Sequence, residues 1–423
     1  MEYAILGGGA LGLTVALRLL QRGERVTVYE REPEAGGLAA GFQIDDAWLE
    51  KFYHHLFRSD AAMQGLIAEL GLADRLRWPR PRTVTLWQGQ VYQLDSPLTV
   101  LRFPPLSPVA RVRMAAVLAF LKLAPAAPLE GKHAAAWLRR WMGEAPYRIV
   151  WEPLLRNKFG DCKEEIALPW FWARIHDRST ELGYLRGGFQ AVYNRLVERI
   201  RALGGEVCLG VAVKSVQTTP NGRLCVTIER GERVFDRVVS TLPPRLTCRL
   251  VPELPDDYRA RYDWGRAYGA HCLILALDRP LTGSYWMNIN DPGFPFLALV
   301  EHTNYMPLGD YGGRHLIYLG NYRPMDDPLF RQTKEEVLAD FLPHLARINP
   351  AFTPAWVTES WMFAAPYAQP IVTTDYKDHL PPFETPVPGL YEASMFQVYP
   401  HDRGQNYSIV LAEELVKRVT SDE

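Results

Sequence analysis

An α/β fold follows from three stretches of this 423-residue chain. The first is an apolar run, Tyr3, Ala4, Ile5 and Leu6, that passes directly into glycines at 7, 8, 9 and 12 and then into a helical apolar pattern. The second is a strand-like run over 26–30 that ends on Glu30. The third lies near the C-terminus, where a strand-like stretch over 388–394 precedes a helix signal opening at 401–408. Together they predict a doubly wound nucleotide-binding domain built discontinuously from 1–80, 184–250 and 385–423. A mixed-sheet substrate domain from 81–100 and 251–384 is expected as an insertion, with a helical substrate-covering subdomain over 101–183.

Gly7-x-Gly9-x-x-Gly12 is the dinucleotide fingerprint of a Rossmann-type fold, in its strand, turn and helix setting. Gly7 permits the tight turn, Gly9 lets backbone approach a pyrophosphate, and Gly12 lets the helix pack closely on its strand. Ala10 and Leu11 open that helix, so their amides face the phosphates at its N-terminus. Leu11, Val15 and Leu19 carry the helix to a stop at Arg22-Gly23. Glu30, eighteen residues beyond Gly12, stands where a carboxylate accepts both hydrogen bonds of an adenosine ribose diol. Arg31 follows on the phosphate or ribose side, and Gly36-Gly37 allow a second close backbone approach.

Composition bounds the partners. A net charge of −1 offers no long-range attraction for nucleic acid or anionic lipid, and 48% hydrophobic residues supply ample core. The five cysteines are scattered without a C-x-x-C pair, which predicts free thiols in a reducing compartment. The N-terminal apolar run lacks a basic leader and is broken by glycines, and the longest apolar run elsewhere, 115–121, is far short of the roughly 20 residues of a spanning helix. A soluble, cytoplasmic protein is expected; no metal site is, because no ligand spacing suggests one.

The acid at 30, the arginine at 31, and the pair Gly36-Gly37 followed by Leu38 resemble the N-terminal signature of the flavin amine oxidase superfamily, with its protoporphyrinogen oxidases, phytoene desaturases and, more distantly, UDP-galactopyranose mutases. The resemblance implies FAD as cofactor and an oxidase, dehydrogenase or desaturase that takes a hydride from an organic substrate onto flavin N5. Where the superfamily usually has an arginine after the glycine pair, this chain has Leu38, so amine oxidation itself is not implied. The alternative it implies is a mutase-like, flavin-dependent isomerase acting on a nucleotide sugar. A third class with a related fold, the GDP-dissociation inhibitors, binds no flavin, and the intact Gly7, Gly9, Gly12 and Glu30 speak against it.

Further along, the stretch around Tyr53, His54 and His55 corresponds to one that the superfamily runs beside the flavin, making both histidines candidates for tuning it or moving a proton. Residues 60–77 read as a helix and 82–94 as a β-hairpin. Prolines at 104, 105, 108, 125 and 128 punctuate apolar helical segments, where Arg111, Arg113 and Lys122 beside Met114, Val117, Leu118 and Leu121 would permit peripheral membrane contact, with core packing the simpler reading. Lys158-Phe159-Gly160 and the Trp-Phe-Trp stretch before Arg174 and Arg178 resemble the mutase branch; arginines among indole rings suit an anionic or sugar-bearing small-molecule substrate, or interdomain ion pairs.

A helix is expected from 190 to 203, followed by strands over 206–209, 211–216, 224–229 and 233–239. The resemblance places Val213 at the adenine. A broad sheet over 269–363 carries a polar island at a strand end, from which His302 and Asn304 are candidate substrate contacts. Finally, the resemblance sets the helix cap with Asp402, Arg403, Gly404 and Asn406 against the flavin, and Ser394 near the ribityl chain where the superfamily has a Gly-acid step. A second glycine fingerprint, expected for a separate nicotinamide domain, is absent from the sequence.

Overall fold

The computed structural model describes residues 1–263 and 265–420. Its centre is a five-stranded parallel sheet in the order Glu206–Leu209, Arg25–Glu30, Glu2–Leu6, Arg237–Ser240, Leu390–Glu392. The chain leaves Glu2–Leu6 to one side for Arg25–Glu30, with Glu206–Leu209 beyond it, and Arg237–Ser240 and Leu390–Glu392 fill the other side. Ligands of doubly wound sheets bind at the carboxyl ends of strands at such a reversal, which is where the glycine turn lies. Both sheet faces are covered, hence the unbroken apolar run. Tyr3 and Ile5 pack on one side with the helices Ala10–Leu20 and Gln405–Thr420. Ala4 and Leu6 face the other, against Val216, Phe235 and Tyr258.

A seven-stranded mixed sheet runs Val357–Pro370, Ala267–Leu277, His315–Arg323, Ala298–Glu301, Trp286–Ile289, Thr83–Trp87, Gln90–Gln93. The hairpin over the last two strands turns at Gln88 and Gly89, both left-handed, and joins the sheet by parallel pairing with Trp286–Ile289. One face is covered by the helix Lys334–Ile348, whose Val337, Phe341 and Leu345 are buried; it opens on a capping box between Thr333 and Glu336. A separate helical core gathers Met114 and Leu121 of Pro108–Leu123, Leu138 of Ala134–Met142, Phe159 of Glu152–Phe159, and Trp170 and Phe171 of Leu168–His176.

Two elements differ from expectation. The helix expected over 60–77 stops at Glu69, because Gly71 adopts φ +74°; a 3-10 turn, Ala73–Arg75, and the short strand Leu76–Arg77 follow. The strand expected to end at 363 continues to Pro370, which carries Gln369 into the interior. All five cysteines are unpaired, with Cys162, Cys248 and Cys272 buried. No helix among the described residues is long and apolar enough to cross a membrane.

Candidate active site

The turn after Glu2–Leu6 is shaped by contacts that only glycine permits. Gly7 has φ +109°, and a Cβ on Gly12 would stand 2.0 Å from the Gly7 carbonyl oxygen. Gly36 donates its N–H to the Gly8 carbonyl at 2.8 Å, laying the second glycine pair against the first. Gly9 and Gly37 then face one another, and a Cβ on Gly9 would meet only the Gly37 Cα, at 3.9 Å, so space remains open above the turn. No side chain caps the helix that Ala10 and Leu11 open, leaving its N-terminus for an anion.

Glu30 holds this turn in place: its two carboxylate oxygens accept the Gly8 N–H at 2.7 Å and the Glu32 N–H at 2.8 Å. Each oxygen keeps a second lone pair, so a ribose diol can still be bound. Val211 donates its N–H to the Glu30 carbonyl and Gly210 to that of Glu32, which runs the chain into Val213 alongside the acid. Arg31 is exposed and pairs with Glu32. Leu38 is half-buried and sits in the 3-10 turn Gly37–Ala39. These are the features FAD requires: an open glycine cradle, an uncapped helix N-terminus and a carboxylate at the end of the second strand.

At the other end, the chain before Gln405–Thr420 presents Asp402 to two separate helices. The Asp402 carboxylate accepts from Lys158 Nζ at 3.2 Å, Trp170 Nε1 at 3.2 Å and Arg174 at 3.5 Å, with the Arg403 guanidinium also at 3.5 Å. Arg403 in turn donates to Gln369 Oε1 at 2.6 Å and to the Tyr322 hydroxyl at 2.8 Å. Lys158 comes from the last turn of Glu152–Phe159, which Gly160 ends at φ +52°; the Tyr268 hydroxyl donates to the Phe159 carbonyl and anchors that end to the mixed sheet. Trp170 and Tyr322 rings lie 5.1 and 5.7 Å from the ammonium.

Three cations thus surround one carboxylate. Burial opposes ionisation of Asp402, but Lys158, Arg403 and Arg174 hold its carboxyl well below the usual carboxylate range. Burial pushes the Lys158 ammonium down to about 7; Asp402 opposes this, while Arg174 and Arg403 add to it. Arg178 is solvent-exposed, yet surrounding protein and then Arg174 push its guanidinium down to about 10.

The histidines lie within reach of the same cations. Burial, then the charge of Arg403 against a supporting bond to Phe52, lowers His54 to about 4. Its Nδ1 lies 2.6 Å from the Phe52 carbonyl, which can only accept, so the neutral ring carries its proton there and Nε2 keeps a lone pair. Burial, with Arg178, His54 and Arg174, takes His55 to about 3; its Nδ1 faces the Tyr285 hydroxyl at 3.5 Å.

The structure therefore brings His54, His55, Arg174, Arg178, Asp402 and Arg403 together, and adds Lys158, Tyr322 and Gln369. Gln369 carries no sequence signal, since its strand extends past the expected end. His302 and Asn304 are not brought to the cluster. His302 is buried among Tyr184, Tyr305 and Tyr318, with Nε2 2.7 Å from the Tyr311 hydroxyl. Asn304 donates to the Thr282 and Ser284 carbonyls and so closes a turn. Ser394 uses its hydroxyl oxygen to accept the Phe396 N–H, and Asn406 accepts the Met63 N–H, so neither side-chain oxygen is wholly free for a ligand. Gly404 accepts from the Ser408 hydroxyl in the first turn of the final helix.

The chain has relatives in both fold and sequence. In overall fold it is similar to a putative protoporphyrinogen oxidase from Exiguobacterium sp. 255-15, with a TM-score of 0.80 and 17% identity over 100% of this chain and 99% of that one. It is also similar to reduced UDP-galactopyranose mutase, with a TM-score of 0.78 and 15% identity over 100% and 96% of the chains. In sequence it is 28% identical to a carotenoid phi-ring synthase of Streptomyces griseus over 66% of this chain, and it spans 60% of that enzyme's length. The family model described as flavin containing amine oxidoreductase matches residues 12–401. With the glycine cradle, the acid at 30 and the match over nearly the whole chain, this protein belongs to the flavin-containing amine oxidoreductase family.

Proposed function

We propose that the protein is an FAD-dependent oxidoreductase whose organic substrate carries an anionic group. The carrying observation is the cluster in which Lys158, Arg174 and Arg403 surround the carboxylate of Asp402, with Arg178 beside Arg174 and opposed in charge by Asp95. FAD, when bound, supplies a two-electron acceptor for a hydride leaving a substrate carbon. Gly7, Gly9, Gly12, the amides of Ala10 and Leu11, and Glu30 would hold its dinucleotide end. The N-terminus of Gln405–Thr420, with Gly404 and Asn406, would favour negative charge at the other.

The chain's own residues do the rest. Asp402 keeps Lys158 and Arg174 converged in an otherwise repulsive cluster, and Arg403 is fixed by Gln369 and Tyr322. Arg178, which no carboxylate engages at hydrogen-bond distance among the described residues, is the guanidinium left to pair with an incoming carboxylate or phosphate. His54 and His55 are neutral at neutral pH, and the lone pair on His54 Nε2 is the candidate proton acceptor. The matched family is one of oxidoreductases, which favours this reading over the nucleotide-sugar isomerase.

The test is anaerobic reduction of the purified holoprotein by a panel of carboxylate- and phosphate-bearing compounds and their neutral analogues, read by bleaching of the oxidised flavin. Anionic members should bleach it and neutral analogues should not. Arg178→Ala should raise KM for a bleaching substrate by about tenfold or more, the loss expected for one charge-assisted hydrogen bond. Bleaching by neutral members alone, or protein that takes up no flavin, refutes the proposal.

A further inference from the structure

We propose that the helical subdomain docks the protein on an anionic lipid surface through the outer face of Pro108–Leu123. That helix turns Met114 and Leu121 into the core, while its exposed side carries Val109, Val112, Ala116, Ala119, Phe120 and Leu123 together with Arg113 and Lys122. The spacing repeats every three or four residues, so this is one continuous stripe. Val109 is 78% exposed, Val112 61%, Phe120 52% and Leu123 84%. Of the eleven large hydrophobic residues exposed among the described residues, seven lie between 98 and 141, the other three of these being Leu98, Leu101 and Trp141. A contiguous apolar face of this kind is uncommon on a protein that meets only water.

The helix's own cations each engage backbone carbonyls, Arg113 and Lys122 while remaining exposed beside the apolar residues. Arg111 donates to the Leu106 carbonyl, Arg113 to that of Trp141, and Lys122 to those of His176 and Arg178. Charge nevertheless surrounds it: residues 96–143 hold seven lysines and arginines and the single acid Glu130, in a chain whose net charge is −1. Of those cations only Arg139 forms an ion pair with a carboxylate among the described residues, that of Glu164. Arg140 lies over the exposed Trp141 ring at 5.7 Å, an aromatic and cationic pairing suited to the headgroup boundary.

This positive excess is what selects the occupant. A second copy of the same face would bring like charges together, whereas anionic headgroups neutralise them and admit the apolar stripe. At 16 residues the helix is too short to span, so it lies in the interface plane. Chain-wide neutrality conceals the feature, because the compensating acids lie elsewhere.

The experiment is co-sedimentation of the full-length holoprotein with vesicles of phosphatidylcholine alone or with one-third phosphatidylglycerol. Binding should require the anionic lipid and weaken with salt. Val112→Ser/Phe120→Ser/Leu123→Ser should lower the partition coefficient at least about tenfold, and Arg140→Gln about fivefold. These residues are exposed and outside the cleft, so flavin content and activity towards a water-soluble substrate should be unchanged. Absence of binding to the anionic vesicles overturns the proposal. So does a holoprotein that is dimeric in solution and becomes monomeric in the triple variant, because the stripe would then be a protein interface.

Discussion

Lys158 is the residue whose charge the cleft controls most closely. Its ammonium titrates at about 7, against about 10.4 for a free lysine, so it is charged below neutrality and neutral above it. Affinity for an anionic substrate should therefore be highest below pH 7 and fall as pH rises through that value. In Lys158→Met the KM should be raised about tenfold at pH 6 and the break near pH 7 should vanish. A break that survives the substitution would assign it elsewhere. The same depression has a folding consequence of fixed sign. Between about 7 and 10.4 the unfolded lysine holds a proton that the folded one lacks, so this group's contribution makes the fold more stable as pH rises. The residue types of this site were legible in the sequence: arginines among indoles, two histidines and an acid-arginine step at a helix cap. Their convergence was not, since residues 158, 174 and 402 meet only through the packing of the helical subdomain on the final helix. The partner of His302 was not legible for a related reason: the hydroxyl that satisfies it belongs to Tyr311 in the next 3-10 turn, and no periodicity signals such a pair.

Single elements show how that convergence is maintained. The helix Leu168–His176 carries Arg174 in its last turn and hands the chain to Arg178, and the Lys122 ammonium closes its end by donating to the carbonyls of His176 at 2.6 Å and Arg178 at 2.7 Å. A cation there satisfies orphan carbonyls and complements the helix dipole. Lys122→Met should leave two strong acceptors without their donor and loosen the segment bearing Arg178. KM for the anionic substrate should rise several-fold with a smaller change in kcat, because the altered residue positions a binding group and touches no reacting atom. Equal losses in kcat and kcat/KM would instead show a role in the transition state. Elements with strong local signals were legible: the glycine turn and the hairpin about Gln88-Gly89. The helix over 60–77 was read too long because an apolar pattern continues through Gly71, and only the left-handed conformation there ends it.

For the whole molecule, the decisive point is that the proposed supports of the cofactor come from opposite ends of the chain. The cradle lies within residues 7–37, the helix cap at 402–406, and the parallel sheet takes its strands from 2–30, 206–240 and 390–392. A ligand that binds only when these parts are assembled stabilises the entire fold, by about 2.7 kcal/mol at a hundredfold excess over its Kd. Removing flavin should accordingly lower Tm by several degrees, and adding FAD should restore it. Gly9→Leu separates this linkage from any general damage. Gly9 has φ −78° and ψ −178°, a conformation open to every residue, and a Cβ there approaches only the Gly37 Cα at 3.9 Å. The apoprotein should therefore keep its Tm, while the added side chain fills the open space above the turn where a pyrophosphate would lie. FAD should then neither bind nor raise the melting temperature, as thermal unfolding with and without added FAD will show. A variant that melts low without ligand would mean that the glycine serves the fold, and one still stabilised by FAD would place the cofactor somewhere other than this turn.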